Sequence, residues 1–237
     1  MTGQFLEYLA GDTLLEAYVA LPATEVAKRP AVLVCHAWAG RSAFECDKAD
    51  KLAALGYVGI ALDTYGKGVS GATNEECSAL MMPLVSNRAL LRSRLLAGLE
   101  AASAIAMVDT SCIAAIGYCF GGMCALDLAR SGADLRGVVS FHGLFGAPGD
   151  LPNNPVKARI LALHGHDDPM VPPDQVLALE TELSAAGADW QIHTYGKTMH
   201  AFTNPGANAP DNGMQFNPVA ANRAWQSMQN FLNEVLA

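Results

Sequence analysis

Short continuous apolar runs constrain the fold of this chain more than any other feature. Residues 31–35, 58–62, 113–116, 138–141 and 160–163 are mostly Val, Ile, Leu and Ala, while 190–195 alternates more. Runs of this length without polar alternation read as strands buried on both faces, hence a mostly parallel sheet. Helix-period segments separate them at about 44–55, 75–107, 121–131, 173–186 and 217–236. Gly56, Gly132 and Gly187 each follow the last periodic residue, as a glycine just past a helix does, and Pro173 suits a first helical turn. Two half-apolar stretches, 4–10 and 14–21, meet at Gly11-Asp12 and predict an N-terminal hairpin. The alternation predicts an α/β sandwich with helices on both faces of the sheet. No internal repeat or break in composition divides the chain, so residues 1–237 read as one domain.

Composition narrows the function. A hydrophobic share of 51% and a charged share of 16% describe a globular protein. The net charge of −8 argues against a nucleic-acid partner or an anionic membrane. No apolar run reaches the roughly 18 residues of a membrane span. The start, Met-Thr-Gly-Gln-Phe-Leu-Glu, has neither a basic region nor an apolar core, so no export signal is read and a cytoplasmic location is expected. Cys35, Cys46, Cys77, Cys112, Cys119 and Cys124 form no C-x-x-C pair, and the histidines form no H-E-x-x-H pattern, so no metal site is expected. Cys35, Cys112 and Cys124 lie in apolar patterns and read as inert core, while Cys46 and Cys77 sit in more polar surroundings.

Cys119 is different. It occupies Gly117-Tyr118-Cys119-Phe120-Gly121, directly after an apolar run and before a helix-period segment. This is a G-x-S-x-G nucleophile elbow with sulfur in place of oxygen. Cβ atoms at the flanking positions would clash where a strand turns this sharply into a helix. A nucleophile needs a base, and the base an orienting acid. Asp168 and His200 follow in the order nucleophile, acid, base, each just beyond a predicted strand. Asp168 is favoured over Asp167 because it precedes Pro169-Met170-Val171-Pro172, a turn into a helix; Asp167 reads as a loop-stabilising Asx residue. The oxyanion hole is expected from the backbone N–H of Phe120 and that of Trp38, in the loop His36-Ala37-Trp38-Ala39-Gly40.

The chain resembles the dienelactone hydrolase family over nearly its whole length. The resemblance rests on Gly117 to Gly122, on His164-Gly165 through Asp168 and Val171-Pro172, on His200-Ala201-Phe202, and on Gly56-Tyr57-Val58 to Asp63-Thr64-Tyr65. It implies an α/β-hydrolase with a Cys-Asp-His triad, without metal or cofactor, cleaving a small ester or lactone. Two positions depart from the family pattern. Members that open dienelactone carry a glutamate in the oxyanion loop, where this chain has Ala37, and an arginine four residues after the triad histidine, where it has Asn204. Dienelactone itself is therefore not the expected substrate, and a neutral or differently charged ester is. The alternative is a degenerate hydrolase fold that binds a small ligand without turnover.

Other residues beyond predicted strands are candidates to line an apolar pocket: His36, Tyr65, Leu144, Phe145, Met199 and Phe202. His36 adjoins the oxyanion loop, where it can hydrogen-bond the backbone; His142, His164 and His193 read as structural. Arg88, Arg92 and Arg94 lie in the long middle helix; a solvated face is the default, and reach into the site the alternative. The expected partner is the small-molecule substrate, with homo-oligomerisation left open.

Overall fold

A computed structural model describes residues 3–23, 28–149, 151 and 155–237. Met1 and Thr2, part of the start read for an export signal, lie outside the described residues. In chain order the main elements are β1 (Gln4–Ala10), β2 (Thr13–Ala20), β3 (Arg29–Cys35), α1 (Ala43–Ala54), β4 (Val58–Ala61), α2 (Asn74–Ser86), α3 (Arg88–Ser103) and β5 (Val108–Tyr118). There follow α4 (Phe120–Arg130), β6 (Gly137–Phe141), β7 (Arg159–Gly165), α5 (Pro173–Ala185), β8 (Trp190–Tyr195) and α6 (Pro218–Val235). The strands form one sheet in the order β1-β2-β4-β3-β5-β6-β7-β8. From β4 to β8 every pairing is parallel; β1 and β2 form the N-terminal hairpin, and β2 runs antiparallel to β4.

The parallel strands β3, β4, β6 and β7, and β5 from Ile113 onward, are buried on both faces, which is why their sequence is continuous rather than alternating. Ala31, Leu33 and Cys35 of β3 face one core, with Leu91 and Leu95 of α3, Leu126 of α4 and Leu179 of α5. Val32 and Val34 face the other, with Leu52 of α1 and Met228 and Leu232 of α6. The turns obey their glycines: Gly11, Gly56, Gly132 and Gly187 all have positive φ.

The expected helix over 75–107 is two helices. Asn87 leaves helical geometry at φ −128° and ψ 80°, and its side chain caps the next helix by accepting the Leu90 N–H. Pro83 already weakens the end of α2 by removing one intrahelical donor. The segment between β8 and α6 contains a two-residue ladder, Asn208–Ala209 with Met214–Gln215. Among the described residues no helix is long and apolar enough to cross a membrane.

The turn between β5 and α4 brings backbone against backbone too closely for any side chain. A Cβ on Gly117 would lie 1.9 Å from the Gly121 carbonyl oxygen, and one on Gly121 would lie 2.1 Å from the Cys35 carbonyl oxygen. Both neighbours are backbone and neither can swing away. Gly121→Ala should therefore cost at least about 2 kcal/mol and lower Tm by roughly 5 °C or more, read by thermal unfolding. A variant that melts with the wild type contradicts this packing.

Candidate active site

The tight turn sets the position of Cys119. Its backbone sits at φ 56° and ψ −118°, a conformation L-residues rarely hold. The surrounding structure over-determines it: the Cys119 N–H bonds the Phe141 carbonyl at 3.1 Å, and the Cys119 carbonyl accepts the Gly122 N–H at 2.9 Å. The side chain is half-buried and lines a cavity of about 500 Å³ at the carboxyl edge of the sheet. Four non-glycine residues have positive φ among the described residues: Cys119, His142, Lys197 and Ala201. Three of them, all but Lys197, line this cavity. Strain gathered at one cleft is a mark of a functional site.

Asp168 follows β7 and His200 follows β8. They meet in the interior, Asp168 Oδ2 at 2.7 Å from His200 Nδ1. Asp168 is 2% exposed and His200 1%, whereas neighbouring Asp167 is exposed. Asp168 Oδ1 is used by the Met170 N–H at 2.9 Å, which fixes the carboxylate plane. His200 Nε2, the other ring nitrogen, is buried with no hydrogen-bond partner among the described residues. Burial lowers the His200 pKa, but the bond to Asp168 and the hydrogen-bonding and charge of the Cys119 sulfur outweigh it, raising the value to about 10. No regular hydrogen bond joins the Cys119 sulfur to His200 Nε2, and the sulfur acts on the ring by its proximity.

The structure places the other candidates as follows. Trp38 and Leu144 line the cavity. The backbone N–H groups of Trp38 and Phe120 have no acceptor among the described residues. His36, Tyr65, Phe145, Met199 and Phe202 are not among the lining residues, which corrects the pocket expected from sequence. Phe202 is buried behind the wall, against His142 and Tyr195. Phe145 packs into the core beneath the loop, its carbonyl held by Arg130. His36 and Tyr65 hold the backbone of the loop after β3, at the Ala37 and Trp38 carbonyls. Their places are taken by residues with no local signal: Phe44 and Met81 from the first two helices, Met170 from the acid turn, and Met214.

No lysine or arginine is among the lining residues. Arg88 is not on a solvated face: it grips Asp127 through two bonds of 2.6 Å and donates to the Gly146 carbonyl. Arg94 donates to the Thr64 and Tyr65 carbonyls. Asn204 lines the cavity but turns its carbonyl oxygen onto the Gly206 N–H at 2.9 Å. The ionisable groups in the wall are Tyr118, Cys119, His142, His200 and Glu45, and the Glu45 oxygens are taken by Ala37 and Ser42. Burial holds His142 well below the usual imidazole value, with the charge of His200 adding to the effect. Its ring stands edge-on to His200, centroids 5.1 Å apart, and its Nε2 pairs with Thr203. Cys77, expected in polar surroundings, is buried beside Gly71.

The folded pKa of His200 lies above its unfolded value of about 6.5. Its charged form therefore adds stability that is fully present below about pH 6.5 and is lost as pH rises through about 10. Cys119→Ala should lower the His200 titration midpoint seen by NMR, because one source of the upward shift goes. Asp168→Asn should lower it further. A midpoint unmoved in Cys119→Ala contradicts the sulfur's place beside the ring.

Comparison with known proteins identifies the family and the fold. The profile of the dienelactone hydrolase family matches residues 15–236. An uncharacterized protein of Caenorhabditis elegans is 35% identical over 154 residues, covering 62% of this chain and 95% of that relative. The crystal structure of P91, a dienelactone hydrolase-like promiscuous phosphotriesterase from metagenomic libraries, superposes with a TM-score of 0.93 at 32% identity, covering 100% of this chain and 99% of P91. A further solved structure, m3DLH, gives 0.93 at 33% identity, with 100% of both chains covered. With an eight-stranded α/β-hydrolase sheet and a family match over nearly its full length, the chain belongs to the dienelactone hydrolase family, hydrolases of esters and lactones.

Proposed function

We propose that the protein hydrolyses an uncharged ester or lactone through a covalent thioester on Cys119, with His200 and Asp168 completing a triad. The observation that carries this reading is the Asp168–His200 bond of 2.7 Å. It leaves the free nitrogen of a buried imidazole beside the sulfur of a strained elbow. A binding protein without turnover has no use for that arrangement.

The chemistry follows from the groups in place. With its pKa raised to about 10, His200 holds at Nε2 the proton that the Cys119 sulfur gives up on attack. The thiolate attacks the carbonyl carbon, and the carbonyl electron pair moves to oxygen. The Trp38 and Phe120 N–H groups hold that oxyanion. On collapse the alkoxide leaves and takes the proton from His200 Nε2. The ring is now neutral and its sulfur neighbour uncharged, so it can accept a proton from water. Hydroxide attacks the thioester, the thiolate departs, and the acid and the imidazolium are restored. Asp168 keeps Nε2 directed at the reaction throughout, because its bond fixes the Nδ1 proton.

The lining selects the substrate. Trp38, Phe44, Met81, Leu144, Met170 and Met214 offer apolar, adaptable surface, and no cation waits for a carboxylate. A substrate carboxylate would lose water there without gaining a partner. Phosphotriesters are uncharged too and suit the same lining, the substrate class named for P91.

Cys119→Ala should abolish turnover of p-nitrophenyl butyrate; residual rates near wild type remove Cys119 from the chemistry. In the wild type, kcat/KM for this neutral ester should exceed that for an otherwise matched ester with an acyl-chain carboxylate by about tenfold or more, a difference of roughly 1.4 kcal/mol. Dienelactone should be turned over weakly. A preference for the anionic substrates means that a cation reaches the site after all.

A further inference from the structure

The loop after β3 has three successive peptide groups, each held by a different side chain. Glu45 Oε1 accepts the Ala37 N–H at 3.2 Å, fixing the peptide between His36 and Ala37. His36 Nδ1 lies 2.7 Å from the Ala37 carbonyl oxygen, fixing the next. The Gly40 N–H closes on the same oxygen at 3.1 Å. The Tyr65 hydroxyl donates to the Trp38 carbonyl at 2.8 Å, fixing the third.

The middle peptide matters most, because its nitrogen is that of Trp38. A carbonyl oxygen at Nδ1 requires a proton there. The Thr64 N–H lies 3.2 Å from Nε2 and can only donate, so Nε2 is the acceptor. His36 is thus a neutral donor of set tautomer, in keeping with a burial that lowers its pKa. In a planar trans peptide the C=O and N–H point in opposite directions. Pulling the Ala37 carbonyl toward His36, away from the cavity wall, turns the Trp38 N–H the other way, where no protein acceptor meets it among the described residues. The His36 ring also contacts the rings of Tyr65 and Phe120, centroids 4.7 and 6.0 Å apart, and so ties the loop to the elbow.

We propose that His36 is a positioning residue of the reaction, holding the Ala37–Trp38 peptide so that the Trp38 N–H faces the oxyanion. The proposal rests on the reading of Cys119 as nucleophile. Tyr65 and Glu45 hold the peptides on either side.

The test separates steps that build an oxyanion from one that does not. Acylation by a p-nitrophenyl ester forms the oxyanion; alkylation of Cys119 by iodoacetamide, a displacement at saturated carbon, does not. Asparagine at 36 places its amide NH₂ about where Nδ1 stands, and glutamine places its amide about where Nε2 stands. His36→Gln should slow the acylation burst about 10- to 100-fold, with KM and the alkylation rate little changed. His36→Asn should keep most of the burst rate. Tyr65→Phe, which keeps the ring and removes only the hydroxyl, should show a smaller loss of the same pattern and serves if the His36 variants do not fold. A burst unaltered in His36→Gln, equal losses in the two His36 variants, or acylation and alkylation falling together overturns the brace. The absence of a Cys119-dependent burst in the wild type overturns the nucleophile reading, and the brace with it.

Discussion

The rest of the site depends on one steric constraint, the crossing of β5 into α4 at a distance no side chain tolerates. Gly117 and Gly121 stack backbone on backbone, and Gly121 in turn lies against the carbonyl of Cys35 at the end of β3. The residue between them must then take φ 56°, at a cost on the order of 1–3 kcal/mol. That strain is held by two buried cores, one on each face of the sheet. In return the Cys119 side chain is lifted into the cleft, and the first amides of α4 face the same space. The contact of Gly121 with Cys35 also sets where the loop after β3 begins. The elbow and the loop after β3 are therefore one mechanical unit.

A second constraint is electrostatic. Asp168 and His200 are buried together, and a buried carboxylate of this kind persists only with its bonds satisfied. The charge that Asp168 and the sulfur favour on His200 is stored beside the proposed nucleophile. Elsewhere buried charge serves only structure. Asp127, Arg88, Arg130 and Glu182 pair among themselves and hold the carbonyls of Phe145 and Gly146, which fixes the loop carrying Leu144.

The elements legible in the sequence were those with local causes. Buried parallel strands write continuous apolar runs, and the elbow writes two glycines around a thiol. Asp168 and His200 were legible because their order and their places beyond strands repeat the topology. The pocket was less legible, since a place beyond a strand does not say which way a side chain turns. Phe202 follows His200 by two residues yet packs into the opposite core, and His36 and Tyr65 turned out to support the loop from behind. Met81, Met170 and Met214 converge on the cavity from three distant segments, and nothing local marks any of them. The break at Asn87 was hidden by apolar periodicity that continues across it.

The central claim is a covalent thioester on Cys119. Its most direct test is rapid quenching of a single turnover of a neutral p-nitrophenyl ester, followed by peptide mass spectrometry. The account predicts the acyl mass on the peptide bearing Cys119, forming at the rate of p-nitrophenol release and decaying at the rate of turnover. Full turnover with no acyl group on that peptide, or full turnover by protein whose Cys119 has been alkylated, would contradict it.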